Sequence, residues 1–323
     1  MNVFVTGGAG YIGSVTTEWL LNQGHEVVVF DNLERGHRQA LDPRACFITG
    51  DLRDAEAVLK AMRETRPDAV LHFAAYALVG ESMVHPEWYF GNNVRGGVNL
   101  AEAMIKTGVR KIVCSSTCAT YGQPDQVPIT EETPQKPTNP YGESKLMFET
   151  LLTWYARLVE IQPVFLRYFN ACGASDRFGE DHDPETHLIP NILKVALGQR
   201  ADVQVFGTDY PTPDGTCIRD YIHILDLAQA HLLALEKDVT GAFNLGTGTG
   251  CSVREVLSAV ETVVGQAIPV QVASRRPGDP ARLVADAGKA GAVLGWTPVH
   301  SHIETIIRSA WLWHQAHPHG YAS

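Results

Sequence analysis

The chain has 323 residues, 45% hydrophobic and 19% charged, which suffices for one large core or two closely joined ones and excludes a disordered tail. Its formal net charge of −10 excludes a broad electrostatic nucleic-acid surface, so an anionic ligand must be met by a few placed arginines. No stretch reaches the apolar length of a membrane span, and the six cysteines (Cys46, Cys114, Cys118, Cys172, Cys217 and Cys251) have neither metal-site nor disulfide-framework spacing.

The first residues, Asn2-Val3-Phe4-Val5-Thr6, read as a strand and not as a signal peptide, so a cytoplasmic location is expected, without membrane or nucleic-acid partners. A helix over about residues 11–23 follows, then Glu26-Val27-Val28-Val29-Phe30. Further β-rich runs are Ala45–Ile48, Ala69–His72, Lys111–Cys114 and Pro163–Leu166. Apolar runs alternating with helical stretches predict an α/β fold, a doubly wound parallel sheet of the Rossmann type covered on both faces. Its ligand belongs beyond the carboxyl ends of the strands. After about Asn170 the pattern changes: 173–186 and 206–217 are rich in Gly, Pro and Asp and read as binding loops. Ala242-Phe243-Asn244-Leu245 reads as a strand returning to the sheet. The expected division is therefore a Rossmann domain over 1–169, with a return segment near 218–247, and a smaller, interleaved substrate-binding domain over 170–323.

Gly7, Gly10 and Gly13 join the first strand to the first helix in a Gly-x-x-Gly-x-x-Gly run, one residue longer than the usual dinucleotide fingerprint. Glycines let the backbone turn tightly against a pyrophosphate, and the helix N-terminus supplies amide donors. The second strand ends at Asp31, whose carboxylate suits a ribose diol and repels a 2′-phosphate, favouring NAD over NADP. Asp51, after the third strand, reads equally as an adenine partner or a helix cap.

Asn139 and Pro140 form a helix start, placing Tyr141 in the first turn with Lys145 four residues on and on the same face. A neighbouring ammonium is expected to pull the phenol below its reference pKa of about 10, making Tyr141 a proton-exchanging group near neutral pH. None of the 13 histidines forms a His-Glu-x-x-His or comparable cluster, so no metal is expected, and His187 and His223 read as polar loop or site-wall residues.

These motifs resemble the extended short-chain dehydrogenase/reductase family over nearly the full length. The resemblance rests on Gly7–Ser14, Asp31-Asn32-Leu33, His72–Ala75, Ser115-Ser116-Thr117, Tyr121-Gly122, Tyr141–Lys145 and Arg167–Asn170. It continues through Tyr210–Thr216, Arg219–His223 and Arg276-Pro277-Gly278-Asp279, and these later motifs carry its specificity.

The resemblance implies interconversion of UDP-galactose and UDP-glucose by reversible hydride transfer at the sugar's C4, through a 4-keto intermediate and a retained NAD. By it, Tyr141 is the catalytic base and acid, Lys145 bonds the nicotinamide ribose, and Thr117 bonds the reacting hydroxyl. Tyr11, Ile12, Asp31, Asn32, Asp51, Leu52, Phe73, Ala74, Ala75, Asn92 and Phe169 match cofactor positions. Asn170, His187, Leu188, Gln204, Val205, Phe206, Arg219, Arg276 and Asp279 match UDP-sugar positions. Guanidinium groups such as those of Arg219 and Arg276 suit a diphosphate. Phe206 is placed either to stack on uracil or to pack in the core.

Three positions depart from the family pattern. Ala77 replaces a lysine that some relatives carry near the cofactor, and Cys118 stands beside Thr117 where alanine is common and reads as packing. Leu283, at the wall beside the sugar's 2-position, is intermediate in size, which leaves N-acetylated UDP-hexoses as expected substrates. A nucleotide-sugar 4,6-dehydratase would need Asp and Glu directly after the threonine, where Cys118 and Ala119 stand. Epimerases of UDP-pentoses or UDP-uronic acids share the 4-position chemistry. A homodimer is the family expectation, paired through helical stretches around 92–106 and 141–158.

Overall fold

The computed structural model describes residues 1–276 and 278–321. Seven strands form one wholly parallel sheet: β1 (Asn2–Thr6), β2 (Glu26–Asp31), β3 (Cys46–Thr49), β4 (Ala69–His72), β5 (Lys111–Thr117), β6 (Gln162–Tyr168) and a returning strand, Gly241–Leu245. Their order across the sheet is the returning strand, then β6, β5, β4, β1, β2 and β3. The direction of winding reverses between β1 and β4, which opens a crevice at the carboxyl ends of those strands.

Strand periodicity explains the two-sided burial. Val3, Val5, Val27 and Val29 face helix α1 (Tyr11–Asn22) and the helix Ile224–Glu236, whereas Phe4, Val28 and Phe30 face the opposite layer. That layer is built by Val58 and Met62, by Leu100 and Met104, and by Phe148 and Leu152 from three successive helices. Gly97 permits close packing of its helix on the helix Pro140–Val159, since a Cβ there would lie 2.6 Å from the Phe148 ring. The helix Pro140–Val159 starts as its sequence predicts: the Asn139 side chain accepts from the Gly142 amide at 2.9 Å, and Pro140 takes the first turn.

A second core gathers Ile189, Ile192, Leu193, Val256, Val260 and Ile306 from the helices Leu188–Ala196, Val253–Val264 and Ile303–Ala316. Small sheets rim it: Val203–Phe206 pairs with Val270–Ala273, and Ile218–Arg219 lies between Cys251–Ser252 and Arg282–Leu283. The last helix serves both cores, because Ile306 enters the second while Trp313 joins the first. We therefore propose that the two domains are interleaved and divide by core, with the chain returning to the first sheet at Gly241–Leu245.

Candidate active site

A cleft of about 1750 Å³ runs along the carboxyl edge of the sheet between the two cores. The glycine loop forms its floor. Gly7 has φ +73, and a Cβ on it would stand 2.4 Å from the Ala74 amide nitrogen. A Cβ on Gly13 would stand 2.2 Å from the Gly7 carbonyl, so backbone and ligand share space that only glycine leaves free. Gly10 caps α1 without a side chain, which leaves the helix amides open to the cleft. Asp31 is buried and accepts from the Ala9 amide at 3.0 Å and the Leu33 amide at 2.8 Å. Burial raises its pKa, and those two amides work against the rise. The cradle and the carboxylate together fit a dinucleotide with a free ribose diol.

Ile12, Asn32, Leu52, Phe73, Ala74, Ala75, Asn92 and Phe169 line the same cleft, as expected from the sequence, and so does Ala77. Two of the residues expected at the cofactor have polar partners within the protein. Tyr11 lines the cleft but commits its phenol to the Gly173 carbonyl at 2.6 Å, pinning the glycine loop to the second half of the chain. Asp51 lies outside the lining: it pairs with Arg53 and accepts from Asn32 Nδ2 at 3.0 Å. Asp54, not Asp51, caps the following helix.

At the centre of the cleft, Thr117 ends β5 and Tyr141 opens the helix Pro140–Val159. Burial pushes the Tyr141 phenol up to about 12, while the neighbouring Thr117 hydroxyl pulls it the other way. The expected lowering by Lys145 is not what the protein alone provides. Lys145 is buried and donates to the Ser115 carbonyl at 2.9 Å, and burial pushes its own pKa down to about 8. Helical spacing puts the two groups on one face, but desolvation dominates the phenol and Lys145 is not among the groups that shift it. Ser115 and Tyr168, which lie inside the quoted motifs but carry no expected role, also line the cleft, and their hydroxyls bond each other. Their position at the carboxyl ends of β5 and β6 was the available signal. The Cys118 thiol is pushed up to about 12 by burial, consistent with packing and not with a base or nucleophile.

The far wall carries Asn170, His187, Leu188, Gln204, Phe206, Arg219, Arg276, Asp279 and Leu283. Arg219 is mostly buried and forms an ion pair with Asp279, so an incoming anion must share that guanidinium or replace the carboxylate. The Arg276 guanidinium lies 4.1 Å from the centre of the Phe206 ring, so the two stack as a unit. Pro277 of the same motif lies outside the described residues. Val205 departs from expectation: in its strand Gln204 and Phe206 share one face, while the Val205 side chain points into the second core. His223 is no wall residue either, because it is buried, caps the helix Ile224–Glu236 and bonds Ser309 at 2.9 Å. His187 does reach the cleft, but in company with Glu180, His182 and Glu185, which the sequence did not single out.

A parallel sheet with a glycine cradle at its switch point, facing a buried Tyr–Lys pair, defines a dinucleotide-dependent enzyme. A model of the NAD dependent epimerase/dehydratase family matches residues 3–246, and the chain belongs to that family. It is 54% identical to the UDP-glucose 4-epimerase of Streptococcus mutans, over 99% of each chain. A crystal structure of a UDP-glucose 4-epimerase superposes with a TM-score of 0.98 at 49% identity, covering 100% of both chains. The Bifidobacterium longum UDP-glucose 4-epimerase in complex with NAD⁺ and UDP gives a TM-score of 0.94 at 40% identity, covering 99% of this chain and 100% of that one. Among the described residues, no helix is long and apolar enough to cross a membrane.

Proposed function

We infer that this chain is an NAD-dependent isomerase that interconverts UDP-galactose and UDP-glucose by inverting the sugar's C4. The observation that carries the reading is the convergence of Thr117, Tyr141 and Lys145 between a dinucleotide cradle and a wall bearing Arg219 and Arg276. NAD held by the cradle of Gly7, Gly10 and Gly13 and by Asp31 would supply a reversible hydride acceptor for C4 and, in its oxidised form, positive charge to the pocket.

The chain's own residues handle the proton and the substrate. Tyr141 Oη receives the 4-hydroxyl proton and later gives it back, and the Thr117 hydroxyl orients that oxygen. Lys145, anchored on Ser115, contributes positive charge on the same helix face. Arg219 and Arg276 hold the diphosphate while the 4-keto sugar turns to present its other face. Phe206, with one face covered by Arg276, offers its ring to the uracil. Tyr141 accepts the 4-hydroxyl proton as phenolate, and burial holds its pKa at about 12 against the pull of Thr117, so the added positive charge of the bound state is what brings it toward working pH.

Elimination chemistry fits poorly, because the positions after Thr117 hold a high-pKa thiol and an alanine. Leu283 packs beside Cys118 and Phe169 at the sugar's end of the cleft. We propose that this intermediate bulk admits N-acetylated UDP-hexoses; undetectable turnover of UDP-N-acetylglucosamine beside rapid UDP-galactose turnover would contradict it.

We propose a homodimer, supported by exposed apolar side chains on the helix Pro140–Val159: Met147, Trp154 and Leu158 are 44%, 55% and 72% exposed and share one face. Light scattering would measure twice the chain mass. A cytoplasmic location agrees with six unpaired cysteines. The deciding experiment is to assay UDP-galactose and UDP-glucose interconversion without added cofactor, then denature the protein and identify the released dinucleotide. Turnover that requires a stoichiometric oxidant would overturn the reading.

A further inference from the structure

The run Glu180-Asp181-His182-Asp183-Pro184-Glu185-Thr186-His187 places potential metal ligands in a Glu-x-His-x-x-Glu-x-His order. That spacing matches none of the helical metal motifs, which is why the sequence suggested no metal. Folding gathers the four side chains so that one ligand atom from each lies within 4.8 Å of all the others. His187 Nδ1 is 2.8 Å from Glu180 Oε1 and 2.9 Å from Glu185 Oε1. His182 Nδ1 is 3.2 Å from Glu180 Oε1 and 3.8 Å from Glu185 Oε2. Both carboxylates are nearly inaccessible, with 5% and 3% of their side chains exposed.

From these observations we propose that Glu180, His182, Glu185 and His187 bind one zinc-class divalent cation. Zinc bonds of about 2.0–2.2 Å to nitrogen and oxygen put tetrahedral donors roughly 3.3–3.6 Å apart, and the observed spacings bracket that value. Both imidazoles turn the same nitrogen, Nδ1, toward the two carboxylates. His182 Nδ1 is fully buried, and although Glu180 Oε1 stands 3.2 Å away the pair does not have hydrogen-bond geometry, so the contacts around this nitrogen leave it unsatisfied. Two carboxylates balance the charge of a divalent ion, and a set of two nitrogens and two oxygens suits zinc better than calcium or magnesium. The competing arrangement is a metal-free quartet of protonated imidazoles ion-paired to the carboxylates.

The place of the quartet indicates its role. It sits in a strap that spans the cleft between the two cores. Arg35 donates to the Asp183 carbonyl at 3.3 Å, His37 Nε2 bonds the Asp181 carbonyl at 3.1 Å, and Asp181 accepts from the Tyr321 amide at 2.8 Å. Tyr11, next to the glycine loop, meets the His182 ring edge-on at 6.2 Å. Four protein ligands close a tetrahedral shell and leave no position for a reacting group. The ion is therefore a clasp that fixes this strap over the dinucleotide end of the cleft and slows loss of the cofactor. Hydride and proton transfer do not use it.

The test uses the full chain with its retained dinucleotide. The protein is stripped with dipicolinate, gel-filtered and titrated with zinc chloride, with metal content read by mass spectrometry. One zinc per chain that survives gel filtration is expected, weakened at least tenfold in His182→Ala and in Glu185→Gln. Cobalt(II) in its place should give the intense visible absorption of a tetrahedral site. Binding that is weak, substoichiometric or unaltered by both substitutions overturns the site, as does a faint octahedral cobalt spectrum. His182→Asn, with normal circular dichroism and thermal unfolding, guards against misfolding as the cause of lost binding. Dinucleotide release should be several-fold faster from the stripped protein, and equal rates would overturn the clasp. None of these readouts needs turnover, so a zinc-binding but inactive protein would refute the epimerase reading and leave this one standing.

Discussion

Glu149 and Arg167 form a buried, two-pronged ion pair behind the helix that carries Tyr141: Nε meets Oε1 at 3.0 Å and Nη2 meets Oε2 at 2.6 Å. Arg167 also donates from Nη1 to the Tyr121 hydroxyl at 2.9 Å, and that hydroxyl donates to Asn244 Oδ1 at 2.7 Å. The network ties the helix to β6 and to the returning strand, so it sets where Tyr141 stands. Glu149→Gln leaves a guanidinium buried without its counter-charge and should cost about 3–5 kcal/mol of stability in urea unfolding. A loss below about 1 kcal/mol would mean that the pair is peripheral.

Tyr141→Phe keeps the ring and removes the proton carrier. Turnover should fall by roughly 10²–10⁴-fold with dinucleotide content and folding unchanged. Thr117→Val acts through the same phenol. Losing the hydroxyl that opposes burial pushes the Tyr141 pKa further up, so the acidic limb of the pH–rate profile should move to higher pH. Thr117→Ser should restore the parent profile. An unshifted limb would separate Thr117 from the proton transfer.

Lys145 gives a pH signature in stability. Burial lowers its pKa from 10.5 to about 8, partly offset by Cys114 and Glu149, so the folded protein holds this proton less tightly than the unfolded chain. The resulting penalty, on the order of 3 kcal/mol, is full below about pH 8 and vanishes as pH approaches 10.5. Relative to Lys145→Met, the parent should therefore gain stability across that window in denaturant titrations. A difference that stays flat with pH would contradict a buried, charged lysine.

Arg219 has a planar fork that an ammonium cannot reproduce. Arg219→Lys should weaken UDP binding by roughly 10–100-fold in calorimetry, with little change in retained dinucleotide. Equal affinity for UDP would remove Arg219 from the diphosphate site.

Much of this molecule was legible in its residue order, because the signals involved act within a few residues. Turn chemistry fixed the glycine loop, an asparagine and a proline fixed the start of the helix bearing Tyr141, and helical spacing put Lys145 on the same face. Alternating apolar runs foretold a parallel sheet, and even the late return of Gly241–Leu245 beside β6 could be read. What tertiary structure alone decided depends on partners and dielectric supplied from far along the chain. Arg219 meets Asp279 sixty residues away, and Tyr11 bonds Gly173 after 162. The resemblance put Gln204, Val205 and Phe206 together at the sugar site, but which of them faces the cleft was settled by the strand pleat and the helices packed on it, which buried Val205. Likewise the phenol of Tyr141 has its high pKa because segments from elsewhere in the chain bury it, and the only opposing pull comes from Thr117, not from the lysine four residues away.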